Sequence, residues 1–118
     1  MPFILLVDRT LAENAAAARG QVIPVHQSVE HFLADAGRGS DRLATIVLDP
    51  PRTGMSREAL DGVVRQRASR LIYVSCDVAT LARDARRIVD AGYTILRAEA
   101  FDLFPNTPHV ETVVTFDA

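Results

Sequence analysis

Lysine is absent, since all 13 basic side chains of this 118-residue chain are arginine. Arginine grips phosphate in a bidentate fork, but biased codon usage accounts more simply for the missing lysine, and charged side chains are mostly solvated surface. With 15 acidic residues the formal net charge is −2. That excludes a strongly basic nucleic-acid-binding module while leaving room for a local basic face. A single cysteine, Cys76, excludes an internal disulfide and the cysteine-rich class of zinc site. His26, His31 and His109 show none of the paired spacings of metal-binding helices, so no metal is expected. The longest uninterrupted apolar run is Phe3 to Val7, too short to span a bilayer. Without the basic region and small-residue cleavage site of a signal peptide, the expected compartment is the cytoplasm.

What remains is 48% apolar and 24% charged, the composition of one globular domain over residues 1–118. A chain of this size buries roughly two thirds of its unfolded surface. One core therefore needs neither disulfide nor metal.

Hydropathy patterning alternates strand and helix. PFILLVD is a short β-rich run ending in Asp8, and TLAENAAAARG has helical composition closed by glycine. QVIPVHQ reads as an edge-like strand because Pro24 cannot donate to a ladder. SVEHFLADAG reads as a helix with Ser28 as its N-cap. The second half runs strand LATIVLD, turn PPRTGMS, helix REALDGVVRQRA, strand RLIYVSC, helix VATLARDARRIVDAG, strand YTILRAEAFDLF and strand HVETVVTFD. Thr45 to Leu48 and Leu71 to Val74 are continuously apolar or nearly so, as in central parallel strands covered by helices on both faces. The last two strands leave no room for a crossover helix and must lie antiparallel. The expected fold is an α/β sheet, mostly parallel, with its final strand reversed.

Ligands of open parallel sheets bind beyond the carboxyl ends of the strands. Asp8, Asp49 and Cys76 fall at such ends, and neighbouring Asp49 and Cys76 strands would face one crevice. Pro50 and Pro51 stiffen the exit after Asp49. That carboxylate is read equally well as a site residue or as a cap on local amides. A lone intracellular cysteine is most often a small buried hydrophobe. Cys76, however, precedes a helix start near Asp77 or Val78, and a helix N-terminus favours thiolate. The adjacent Asp77 carboxylate opposes this unless it is turned away as the helix cap. In the tail, His109 and Glu111 stand two apart at the start of an apolar strand and so share one face. Glu111, flanked by Val110, Val113 and Val114, is read either as a partly desolvated general base or as an exposed strand-end acid.

The combination is more specific than its parts. D-P-P-R-T-G at 49–54, Y-V-S-C-D-V-A-T-L-A-R-D at 73–84 and F-D-L-F-P-N-T-P-H-V-E at 101–111 resemble, in order and spacing, the RNA uracil-C5 methyltransferase family. The resemblance covers about the last 75 residues. It implies a Rossmann-like methyltransferase sheet, S-adenosyl-L-methionine as cofactor and a transfer or ribosomal RNA substrate. By that resemblance Cys76 matches the nucleophile that adds to uracil C6, and Glu111 the base that removes the C5 proton. Asp49 matches an aspartate of the cofactor site, while Arg52, Thr107 and His109 match positions that shape it. Asp8 matches the acid that holds the cofactor ribose if Phe3 to Val7 is the second strand. Where residues 4–19 are instead mostly helix, it has no such role.

The chain departs from the family pattern in two ways. Ser75, Cys76, Asp77 and Val78 stand where the family commonly has S-C-N-P, and the missing proline loosens the helix start. The family's first strand with its Gly-rich turn, and its N-terminal RNA-binding portion, have no counterpart here. The chain is therefore expected to be a catalytic-half fragment, a single partial methyltransferase domain. Either Phe3 to Val7 fills the central gap, or two open strand edges meet each other or another chain. The competing functions are a non-catalytic domain that folds by pairing those edges, as a homo-oligomer or with a partner, and a thiol hydrolase built from Cys76 and His109.

Overall fold

The computed structural model describes residues 3–6, 22–36 and 44–118. The expected helix at 10–20 and Asp8 lie outside them. Six strands and three helices are described: β1 (Phe3–Leu6), β2 (Val22–Val25), α1 (Val29–Ala36), β3 (Thr45–Leu48), α2 (Arg57–Arg65), β4 (Arg70–Ser75), α3 (Val78–Asp90), β5 (Thr94–Phe101) and β6 (Glu111–Asp117).

Capping chemistry sets the helix starts. The Ser28 Oγ accepts from the His31 N–H at 3.2 Å. Ser56, extended at φ −62 and ψ 154, accepts from the Ala59 N–H at 3.1 Å and donates to Glu30 at 2.8 Å, tying α2 to α1. Gly62 lets these helices approach: a Cβ there would stand 3.0 Å from the Leu33 Cβ. At the far end of α3, Ala91 caps and Gly92 turns the chain away at φ 106, the left-handed conformation that glycine adopts without a steric penalty.

The strands form two sheets. β1 pairs in parallel with β2. The second sheet has the order β3-β4-β6-β5. β4 runs parallel to β3, and β6 inserts antiparallel between β4 and β5. The reversed last strand is as expected, and it divides two strands that are consecutive along the chain.

Two expectations about the gap fail. Phe3 to Leu6 are strand, and the rest of the 4–19 stretch with its helical alternative lies outside the described residues; among the described residues β1 pairs only with β2 and β3 only with β4. β1 thus does not occupy the central gap, and the two open edges do not meet each other. β3 is also not central. It borders the four-stranded sheet, and its Val47 is 63% exposed. An unbroken apolar run is compatible with a strand buried on either one face or two, and here the described helices pack on one.

That face is read from the register. Leu48 lies opposite Tyr73, and Tyr73 and Leu71 lie opposite Val114 and Phe116. All five are buried with Leu33, Leu60, Val63, Leu81 and Ile88 of the helices. Full burial of each large apolar side chain contributes roughly 1.5–3 kcal/mol. The reverse face, with Ile72, Val74, Val113 and Thr115, is only half-buried.

Candidate active site

Cys76 follows the last residue of β4 and is half-buried. The residues on either side of it are bonded to each other: Ser75 Oγ accepts from the Asp77 N–H at 3.1 Å and donates to the Asp77 carbonyl at 2.8 Å. Asp77 is the N-cap of α3, accepting from the Thr80 N–H at 2.9 Å. That bond holds its carboxyl below the usual carboxylate range. The carboxylate that would oppose a thiolate is therefore turned into the helix cap. Aspartate also supplies the helix start that the absent proline left loose.

The segment after β3 is latched to α3. The Arg52 carbonyl accepts from Thr80 Oγ1 at 3.0 Å, and the Thr53 and Met55 carbonyls accept from Arg83 Nη2 at 3.1 and 3.3 Å. The Met55 N–H donates to Asp84 Oδ2 at 2.9 Å, and Tyr73 Oη donates to the same oxygen at 2.6 Å. Arg83 Nε donates to the other oxygen at 3.0 Å. Gly54 is required at φ 77, because a Cβ would fall 2.6 Å from Arg83 Nη2 and 2.8 Å from Asp84 Oδ2. Burial alone would raise the Asp84 carboxyl. The bonds from Met55, Tyr73 and Arg83 outweigh it and hold the group below its ordinary value. Burial, then the bond to Asp84 and its charge, push the Tyr73 hydroxyl upward.

The third element is the loop between β5 and β6. β6 begins at Glu111, so His109 precedes the strand instead of sharing its face with Glu111. The Ser75–Thr112 pair ends the β4–β6 ladder, which leaves Cys76 and Glu111 one step further along adjacent strands. A cavity of about 260 Å³ is lined by Arg52, Cys76, Phe104, His109, Val110 and Glu111. Arg52 Nη2 donates to His109 Nδ1 in a long contact of 3.4 Å. The imidazole Nδ1 thus faces the guanidinium. Thr107 accepts no separate chemical role: its Oγ1 donates to the Phe104 carbonyl at 2.7 Å and holds the turn. Asp49 is exposed at the end of β3 and is not among the residues lining this cavity. Among the described residues, no group of three His, Cys, Asp or Glu side chains could hold a metal, and no helix is long and apolar enough to cross a membrane.

Comparison with known proteins shows the family. The family model for tRNA (Uracil-5-)-methyltransferase matches residues 26–118. The chain belongs to that family. An uncharacterized RNA methyltransferase of Thermotoga maritima is 44% identical over 83% of this chain and 22% of its own length. The 23S rRNA (uracil(1939)-C(5))-methyltransferase RlmD of Pseudomonas putida is 46% identical over 73% of this chain and 19% of its own. The crystal structure of the Pyrococcus abyssi tRNA (uracil-54, C5)-methyltransferase in complex with S-adenosyl-L-homocysteine superposes with a TM-score of 0.73 and 27% identity, covering 90% of this chain and 25% of that one. The chain thus spans about a fifth of the length of these curated relatives. Its mixed sheet is part of a methyltransferase fold.

Two features of this uracil-5-methyltransferase chain escaped the sequence reading. Asp84 lies between Leu81 and Ile88 on the buried stripe of α3. An acid three residues after one core position and four before another was the available signal, and Asp84 was given no role there beyond closing the 73–84 motif. Phe104 was read as the end of a strand that actually stops at Phe101, and it instead faces the cavity.

Proposed function

We propose that this chain carries the catalytic half of an RNA (uracil-C5) methyltransferase acting on a uridine of transfer or ribosomal RNA. The carrying observation is that Cys76 and Glu111, from the ends of paired antiparallel strands, line one cavity. C5 of uracil is a poor nucleophile. Addition of the Cys76 thiolate to C6 forms a C–S bond and moves the electron pair onto C5 and the adjoining carbonyl as an enolate. S-adenosyl-L-methionine, when bound, supplies the methyl group that C5 takes up. Glu111 then removes the C5 proton, the C5–C6 double bond re-forms and the C–S bond breaks, returning the thiolate.

Asp49 fits the cofactor's chemistry, since an accessible carboxylate accepts hydrogen bonds from hydroxyl and ammonium groups alike. Asp8 is a second proposed acceptor, on sequence grounds alone. Arg52 and His109 line the cavity, and the Arg52 guanidinium suits an anionic oxygen of the substrate.

The test uses RNA carrying 5-fluorouridine together with the cofactor. Fluorine at C5 leaves no proton for Glu111 to remove, so the adduct through Cys76 persists and is seen as a mass increase. A wild-type chain that forms none, or an adduct surviving in C76S, would sink the reading.

The open edge of β3 supports a second reading for the isolated chain, association through that edge with another copy or a partner strand. Sedimentation decides it: a stable monomer at all concentrations counts against it.

A further inference from the structure

Phe104 carries the one phenyl ring lining the cavity, yet it is 54% exposed and takes no part in the core. An exposed apolar side chain is ordinary by itself; this one stands on a braced loop in the lining of a cavity, where loops carry binding groups. The bracing is specific. The Phe104 carbonyl accepts from the Thr107 N–H at 3.2 Å and from Thr107 Oγ1 at 2.7 Å. Asn106 closes the turn at φ 65, and Pro105 and Pro108 flank it. Leu103 and Phe101 of the same segment are also exposed and do not line the cavity.

We propose that Phe104 is a stacking platform for the nucleobase adjoining the target uridine in single-stranded RNA. This rests on the function proposed above. A cavity of about 260 Å³ lies just below the roughly 300–1,000 Å³ of ordinary ligand pockets. It accommodates one pyrimidine ring and leaves the next base at the rim. The target ring itself cannot lie flat on a phenyl group. Sγ approaches C6 from above the ring plane, C5 must accept a methyl group and release a proton, and both faces have to stay clear. The neighbouring base has no such constraint, and its π-face suits the exposed half of Phe104 whatever its identity. Phe104 therefore contributes to holding a single-stranded segment and is not a catalytic residue.

The chain contains no tryptophan, so F104W introduces a single indole reporter. A short oligouridylate should quench its emission, and the same oligomer with abasic riboses flanking the central uridine should not. F101W, whose ring lies outside the cavity lining, serves as the control and should respond weakly to both. With 5-fluorouridine at the centre of each oligomer, F104A should need about 5- to 100-fold more of the base-flanked oligomer to reach half-maximal adduct rate. It should match wild type on the abasic one, and F104Y should behave as wild type. An unquenched F104W, or F104A equal to wild type on the base-flanked oligomer, overturns the proposal. Quenching that persists while wild type forms no adduct supports the platform and overturns the alkylation chemistry instead.

Discussion

The two walls of the cavity are built in opposite ways. The wall carrying Cys76 and Arg52 is fastened into the interior. Thr80, Arg83 and Asp84 of α3 hold successive backbone groups from Arg52 to Met55, and Asp84 is 0% exposed. The facing wall is the exposed segment from 102 to 109, kept in shape by the turn bond of Thr107 and the φ of Asn106 and touching the first wall through the 3.4 Å contact from Arg52 to His109. It is tied to the sheet where Phe101 of β5 pairs with Glu111 of β6. In the proposed chemistry the nucleophile belongs to the wall fastened by hydrogen bonds, and the groups that would admit and orient the substrate belong to a surface loop, as loops on rigid scaffolds commonly do.

The contrast is tested first at the two ends of the chemistry. C76S should abolish adduct formation outright, while E111Q should still form the C–S bond but fail to release product, so that methylated adduct accumulates with ordinary uridine RNA. Mass spectrometry of the protein distinguishes them, and equal behaviour of the two variants would remove the division of roles.

Next in size is the latch. D84A should lower stability by about 3 kcal/mol, read by thermal or urea unfolding, because it leaves the buried Tyr73 hydroxyl and Met55 N–H without their acceptor. The same residue has a pH signature. Its folded-state pKa is depressed, so its contribution is full above the unfolded value near 3.9 and is lost as pH falls through the lower folded value. Between pH 7 and pH 3, wild type should therefore lose more stability than D84N. A difference that does not change over that range would show that the carboxylate is not the held species.

G54A should cost about 2 kcal/mol, from the left-handed φ and the approach to Arg83 and Asp84. Smallest is the outer wall: N106A should cost about 1 kcal/mol and N106G almost nothing, since only the φ of 65 is at stake. A large loss in N106G would erase the contrast between the walls.

Much of the fold is legible before any coordinates. Ser28 and Asp77 announce their helices because a short side-chain oxygen before an amphipathic stretch has a free N–H to satisfy. Parallel pairing of β3 with β4 follows from the helix between them, and reversal at the end from the absence of one. The motifs around Asp49, Cys76 and Glu111 mark three chain segments that one cavity or strand end can share. Val47 misled, since an apolar run does not say how many faces are covered. Asp84 was hidden because a carboxylate on a helix is ordinarily solvated, and its three donors come from β4, from the loop after β3 and from its own neighbour.

By itself the sequence determined the local periods, the caps, the direction of each strand and the residue types capable of alkylation chemistry, all of which depend on neighbours a few positions away. Tertiary structure alone decided that β6 slips between β4 and β5, which sets Glu111 beside Cys76, and that a buried carboxylate pins the Arg52 loop. Both join residues about 30 or more apart in sequence. No short-range pattern encodes such pairings, because their free energy comes from burial and hydrogen bonding that exist only once the segments have met.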